Sequence, residues 1–219
     1  MKEQDPTKET VQNLRRDLNY EGLKEQNVPQ DPFALFSKWL EAAVANEPYE
    51  PNAMTLATAS KDGKPTARTV LLKDYGPDGF VFYTNFGSRK GRDLQENPQA
   101  SLVLYWGSLS RQVLIDGKIT GVDREIAKKY FHSRPRNSQI AAYTSDQSQV
   151  VDSREALDSL IKQTEEKFKD QEIPLPDNWG GFCLKPERIE FWQGQNDRLH
   201  DRLCYTKQSK GWKLERLAP

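Results

Sequence analysis

The chain has 219 residues, enough for one sizeable core, and length alone favours a single domain. Its 32 basic residues balance 32 acidic ones, so no global field exists to hold a nucleic-acid backbone or an anionic membrane, and any anion site must be local. Hydrophobic residues make up only 36%, but 5 Trp, 8 Tyr and 9 Phe supply bulk for a packed core and argue against disorder.

The opening stretch, MKEQDPTKETVQNLRRD, has neither a secretory hydrophobic region nor the acid-poor composition of a transit peptide. No apolar run approaches the roughly 18 residues of a membrane span, so a cytoplasmic protein is expected. Residues 1–30 are polar, with apolar side chains too sparse to anchor much, and they end at the turn-like NVPQDP; they read as a partly mobile or ligand-ordered arm preceding one domain over 31–219. Asp31 then caps a helix with Pro32 in its first position, and Phe33, Phe36, Trp39, Leu40 and Ala43 share one face at helical spacing.

From Ala53 the period falls to two. AMTLATAS, a turn at KDGKP, ARTVLLK, a turn at DYGPDG, and FVFYTN predict strand, turn, strand, turn, strand. A short helix over Ser88–Asn97, stopped by Pro98, precedes the strands ASLVLYW and RQVLIDGKITGV. Helical patterns return over Asp123–His132 and Ser153–Lys169, and GGFCLKP, RIEFWQG, DRLCYT and GWKLERL read as four more strands. Short links between consecutive strands favour antiparallel pairing, so the expected fold is mainly β with α (α+β), a barrel-like sheet with helices outside it.

Most familiar catalytic motifs are missing. No two glycines stand two apart, which excludes a dinucleotide fingerprint, and no G-x-x-x-x-G-K, H-E-x-x-H or G-x-S-x-G occurs. Cys183 and Cys204 lie in apolar contexts without zinc-site spacing, so buried thiols and no metal are expected. What remains are basic and hydroxyl residues near strand ends. Alternation along RTVLLK sends Arg68, Val70 and Leu72 to one face and Thr69, Leu71 and Lys73 to the other, which would give the two cations separate sites.

Ser88, Arg89 and Lys90 open a helix, where free amides and the dipole favour an anion; the same tripeptide also fits a helix start with two solvated cations. In YFHSRPRNSQ, spanning 130–139, Arg134 precedes Pro135 and is pushed toward extended geometry. The Tyr130 phenol, the Arg134 guanidinium and the Ser138 hydroxyl could converge on a phosphate, or the segment could be an arginine-bearing surface loop. His132 reads as a packed or capping histidine.

RTVLLK, FYTNFGSRKG, RQV, YFHSRPRNSQI, QS, EFWQGQNDRLHDR and the terminal LERLAP together resemble the pyridoxine (pyridoxamine) 5'-phosphate oxidase family. The resemblance runs in order from about Leu14 to Pro219. It implies an antiparallel FMN-binding split β-barrel with peripheral helices, and a homodimer with FMN at the subunit interface, partly through a C-terminal dimerisation region. It also implies oxidation of pyridoxamine and pyridoxine 5'-phosphates to pyridoxal 5'-phosphate, with O2 consumed and H2O2 released. The FMN contacts it implies are Arg68, Thr69, Val70, Leu71, Leu72, Lys73, Tyr83, Thr84, Arg89, Lys90, Gln112, Gln147, Ser148, Trp192 and Arg202.

Substrate contacts implied in the same way are Lys73, Tyr130, Arg134, Ser138, Arg198, Leu199 and His200, with Arg198 and His200 as the catalytic pair. On an extended segment those two would face the same side, with Leu199 turned into the core. Ala141 and Tyr143 stand where relatives often carry glycine and tryptophan, and Leu18 where some carry tyrosine. Arg15 and Arg16 of the arm would cover the substrate.

Overall fold

The computed structural model describes residues 22–219; Arg15, Arg16, Leu18 and the rest of 1–21 lie outside the described residues. Helix α1 (Pro32–Asn46) starts as its sequence dictates, with the Asp31 carboxylate accepting from the Phe33 N–H at 3.0 Å and Pro32 needing no such partner. Its buried face carries Phe33, Leu35, Phe36, Trp39 and Ala43, so Leu35 joins the expected stripe while Leu40 is only half-buried. Each of the large side chains removed from water there contributes roughly 1.5–3 kcal/mol.

Nine strands follow, all paired antiparallel: β1 (Ala53–Ala59), β2 (Pro65–Leu71), β3 (Asp74–Gly76), β4 (Gly79–Asn85), β5 (Gln99–Trp106), β6 (Arg111–Gly121), β7 (Trp179–Gln193), β8 (Asp201–Lys207) and β9 (Trp212–Leu217). They run in the order β2-β1-β5-β6-β7-β4-β3, with β8 pairing β7 and β9 pairing β8. The end strands of that path, β2 and β3, are joined only by Leu72 and Lys73. Two residues span at most about 7 Å, so the sheet must curl until its ends meet. Lys73 N–H donates to Val81 O at 2.8 Å, which carries the β3–β4 pairing back to the end of β2, and the curled sheet is the barrel-like one expected.

Two strands differ from the sequence reading. DYGPDG, expected as a turn, contains β3, and the turn proper is Pro77–Asp78. GGFCLKP and RIEFWQG form one strand of 15 residues, because Pro186 is accommodated at a register shift opposite Gly117. A Cβ on Gly117 would lie 2.1 Å from Lys185 O, so glycine lets the two backbones approach there.

Helices α2 (Arg89–Glu96), α3 (Arg124–Ser133), α4 (Arg136–Thr144) and α5 (Arg154–Lys167) lie between strands. The barrel interior holds the main core, including Phe80, Phe82, Trp106, Ile115, Phe191 and Tyr205, while Phe131, Ile140, Phe168, Ile173 and Trp179 form a second cluster involving α3 and α4. The described end of the polar arm is tied down. Leu23 is buried and its N–H donates to Asp201 Oδ2 at 3.0 Å, Tyr205 Oη donates to Pro29 O at 2.7 Å, and Arg216 clasps Glu25 at 2.8 and 2.9 Å.

Candidate functional site

The exit of β2, the end of β4, the start of α2, the corner between α3 and α4 and the following loop enclose a cavity of about 620 Å3. It is lined by Arg68, Thr69, Val70, Leu71, Lys73, Tyr83, Thr84, Lys90, Tyr130, Arg134, Ser138 and Gln147, all anticipated from sequence. Arg68 and Lys73 share it, contrary to the expectation of separate sites. β2 ends at Leu71, so strand alternation no longer governs Lys73, and the chain bends back along β4.

One group of cations gathers at α2. Ser88 is the N-cap, its Oγ accepting from Gly91 N–H at 3.2 Å. Lys90 Nζ donates to Gln147 Oε1 at 2.6 Å and to Ser88 Oγ at 3.2 Å, and Thr84 Oγ1 donates to the same Gln147 oxygen at 3.1 Å. Arg68 Nη1 donates to Thr58 Oγ1 at 2.8 Å and Leu56 O at 3.1 Å, and Nη2 donates to Thr66 Oγ1. Both threonine hydroxyls donate hydrogen bonds to Asp93 Oδ2, at 2.8 and 3.0 Å.

Burial, reinforced by the nearby Arg68 charge, lowers the Lys90 ammonium pKa to about 8. Arg68 is lowered too, first by burial and then by Arg89, with Asp93 opposing. Cations that destabilise one another inside a cavity gain the most from an anion placed among them.

The second group is built by the decapeptide. Arg134 caps the C-terminus of α3, and Pro135 starts α4 one residue later. The Arg134 guanidinium sits 5.0 Å over the Trp179 ring, and its Nη1 is buried with no hydrogen-bond partner among the described residues. Burial lowers its pKa, with Tyr130 opposing. A buried donor without a partner costs about 1–3 kcal/mol, more when charged, and marks a place where an acceptor belongs. Beside it Tyr83 and Tyr130 stack at 4.0 Å, and Tyr83 stacks on Trp179 at 5.5 Å, giving an aromatic wall.

The remaining donors of the decapeptide are structural. Arg136 donates to Phe168 O at 2.6 Å and Gln171 O at 3.1 Å, His132 Nε2 lies 3.1 Å from Ile173 O, and Ser133 Oγ donates to Tyr130 O at 2.8 Å. The packed reading of His132 therefore matches its contacts. Helix α4 was missed in this segment, and so was Trp179 as part of the cavity wall; its position just before Gly180 and Gly181 at a strand start was the available signal.

Other expected residues lie elsewhere. The Leu72 side chain is in the core, and Arg89 N–H donates to Ser148 Oγ at 3.3 Å without either residue lining the cavity. Gln112, Trp192 and Arg202 stand side by side on β6, β7 and β8, and the Trp192 ring is 4.6 Å from that of His200. Arg202 is held by Glu190 Oε1 at 2.7 Å and Ala218 O at 2.8 Å. Burial pushes the Glu190 carboxyl pKa up, but bonds from Arg202 and Arg188 outweigh it and hold it below the usual value.

The segment around Arg198 is not extended. Asn196–Arg198 form a tight turn with Asp197 at φ 56° and Arg198 at φ 61°, so side chains do not alternate and Leu199, expected in the core, is 69% exposed. One chain thus presents two separate clusters, one in the cavity and one at the β6–β7–β8 ends.

The residues of both clusters fall within matches to known proteins. Residues 40–193 match the family described as pyridoxamine 5'-phosphate oxidase, and residues 179–219, which carry Trp192, Arg198, His200 and Arg202, match the pyridoxine 5'-phosphate oxidase C-terminal dimerisation region. The chain is 51% identical over 215 residues to the pyridoxine/pyridoxamine 5'-phosphate oxidase of Acaryochloris marina, with 98% of each chain covered. It is 49% identical over 211 residues to the protein of the same name from a Nostoc species, covering 96% of this chain and 99% of that one. Among solved structures, PhzG from Burkholderia lata, in complex with tetrahydrophenazine-1-carboxylic acid, superposes with a TM-score of 0.86 at 30% identity, covering 93% of this chain and all of that one. With a family match over most of its length and relatives near one-half identity end to end, the chain belongs to the pyridoxamine 5'-phosphate oxidase family.

Proposed function

We propose that the protein is an FMN-dependent oxidase that converts pyridoxamine 5'-phosphate and pyridoxine 5'-phosphate to pyridoxal 5'-phosphate, with O2 as final oxidant and H2O2 as by-product; the amine also releases ammonia. The observation that carries this reading is the pairing, in one cavity, of a mutually repelling cation group (Arg68, Lys90) with the buried Arg134 Nη1, which has no hydrogen-bond partner among the described residues. Two phosphorylated ligands supply two anions.

FMN fits the first group. Arg68 and Lys90 line the cavity and would meet its phosphate, with Arg89 and Ser148 beside them at the α2 start; Thr84 and Gln147 are hydrogen-bonded to one another there. Residues 69–73 and Tyr83 would border the rest of the cofactor. Bound FMN supplies a hydride acceptor at its N5 atom.

The chain's own work is binding and orientation. Arg134 would give forked donors to the substrate phosphate, Tyr130 and Ser138 would fill its remaining lone pairs, and Lys73 lines the same cavity, from which it could meet either ligand. The stacked rings of Tyr83, Tyr130 and Trp179 line the cavity and would keep water from that side of the bound ligands. No side-chain nucleophile is required.

Gln112, Trp192, Arg198, Leu199, His200 and Arg202 would complete the site of a second copy of this chain, since they form their own cluster away from the cavity and lie largely in the stretch matched to a dimerisation region. The assembly would be a cytoplasmic homodimer with two FMN sites, each chain made of an arm over 1–30 and one barrel domain over 31–219. The test is anaerobic. The purified protein should be yellow and should bleach on addition of pyridoxamine 5'-phosphate, then regain colour in air. A colourless protein, or a yellow one that no B6 phosphate bleaches, overturns the proposal.

A further inference from the structure

The turn that carries Arg198 also fixes the protonation of its neighbour. The backbone N–H of Gln195 donates to His200 Nδ1 at 3.0 Å. A backbone amide can only donate, so Nδ1 must offer its lone pair, and in a neutral imidazole the proton then resides on Nε2. The surroundings hold that contact. Left-handed Asp197 and Arg198 turn the chain back on itself, and Leu199 N–H donates to Asn196 O at 3.1 Å. Gln195 is anchored through its own side chain, whose Nε2 donates to Asp201 Oδ2 at 3.2 Å, and Asp201 is in turn pinned by Arg216 at 2.6 Å and Leu23 N–H at 3.0 Å. The Trp192 ring packs against the imidazole at 4.6 Å.

We propose that His200 is committed to the Nε2–H tautomer and serves as a neutral hydrogen-bond donor to an oxygen or nitrogen lone pair of the substrate, with the Gln195 amide as the positioning group. That a substrate lies before Nε2 rests on the proposed function; the tautomer does not. The chemical consequence is a division of labour. The only lone pair of this imidazole is occupied by the Gln195 amide, so His200 does not take the proton released from the substrate amine or hydroxyl, and that proton leaves by another acceptor.

The test is a long-range 1H–15N correlation spectrum of histidine-labelled FMN-loaded protein at about pH 8, above the ordinary histidine range. The chain has 2 histidines, so His132→Gln assigns both signals. His200 is expected to show a protonated Nε2 and a bare Nδ1; an Nδ1–H tautomer or an averaged mixture overturns the proposal. A second readout compares two variants in binding of 4-deoxypyridoxine 5'-phosphate, an analogue without the oxidisable group. His200→Gln places amide protons near the former Nε2 and should bind within about threefold of the parent. His200→Asn, whose amide reaches only the Nδ1 position, should bind on the order of tenfold more weakly. Equal losses, or a better Asn variant, overturn the donor role. If the analogue does not bind even the parent while the spectrum is as expected, the function is wrong and the tautomer stands.

Discussion

Replacing Arg134 by Met separates the anion-binding role of this residue from its packing role. The guanidinium lies 5.0 Å over Trp179 with one buried nitrogen unpaired among the described residues. The cation–ring contact is worth about 0.5–2 kcal/mol, and a thioether in the same place recovers part of it. Against that stands the penalty for burying a charged donor without an acceptor, which the substitution removes. Stability of the free protein should therefore be unchanged or slightly raised. Binding should change sharply. A charge-assisted bond contributes about 1.5–3 kcal/mol, so affinity for a phosphorylated ligand should fall by about one to two decades.

The assay is titration of FMN-loaded parent and variant with 4-deoxypyridoxine and its 5'-phosphate, which bind without turnover, together with urea unfolding of the FMN-free proteins. The loss should be confined to the phosphorylated ligand, with FMN content unaltered. An equal loss for both ligands, or a drop in stability beyond about 1 kcal/mol, would show that Arg134 is a structural cation and refute the argument from the unpaired nitrogen.

Lys90, with its pKa lowered to about 8, should take up a proton when a phosphate binds beside it. Calorimetry in buffers of different ionisation enthalpy should show FMN binding coupled to proton uptake that grows as pH rises through about 8, and Lys90→Met should abolish the coupling. Because the unfolded chain holds that proton up to about 10.5, the same lysine makes the FMN-free protein gain stability, not lose it, as pH rises from about 8 toward 10.5. FMN at about 100 times its dissociation constant should raise stability by roughly 2.7 kcal/mol and favour the dimer; a monomer in sedimentation with FMN bound contradicts the shared-site assembly. Arg198→Ala should slow anaerobic flavin reduction at saturating pyridoxamine 5'-phosphate by tenfold or more, about 1.4 kcal/mol of barrier, and an unchanged rate with weaker binding reduces Arg198 to positioning.

Much of this architecture could be read from residue order. Period-two stretches mark the strands, Asp31 with Pro32 and Ser88 mark two helix starts, and the spacing of Tyr130, Arg134 and Ser138 already allows the cluster that the cavity brings together. Helix α4 escaped because its N-cap is Pro135, which offers no capping side chain. Strand β7 looked broken because Pro186 reads as a stop, and what accommodates it, Gly117, is some 70 residues away on the paired strand. The turn at 195–200 was read as extended because neither Asp197 nor Arg198 is a glycine, although both adopt positive φ. Spacing along one chain likewise could not say that Arg198 and Arg68 occupy different clusters, since that separation is set by the sheet.

The clasp between the two ends of the chain also sets an order of events in time. Glu25 and Leu23 find their partners in Arg216 and Asp201, and Pro29 finds its partner in Tyr205, each across more than 170 residues of sequence. A ribosome delivers those partners more than 170 residues after the segment they clasp. The N-terminal segment must therefore wait, unpaired, through most of synthesis, and its docking can only follow release of the C-terminal hairpin β8–β9 from the exit tunnel. Contacts of such long separation carry the largest loop-closure cost and are made slowly. The same hairpin carries Leu203 and Tyr205 of the main core, so the barrel's own core and the docking of the 23–29 segment are completed together, when β8 pairs with β7.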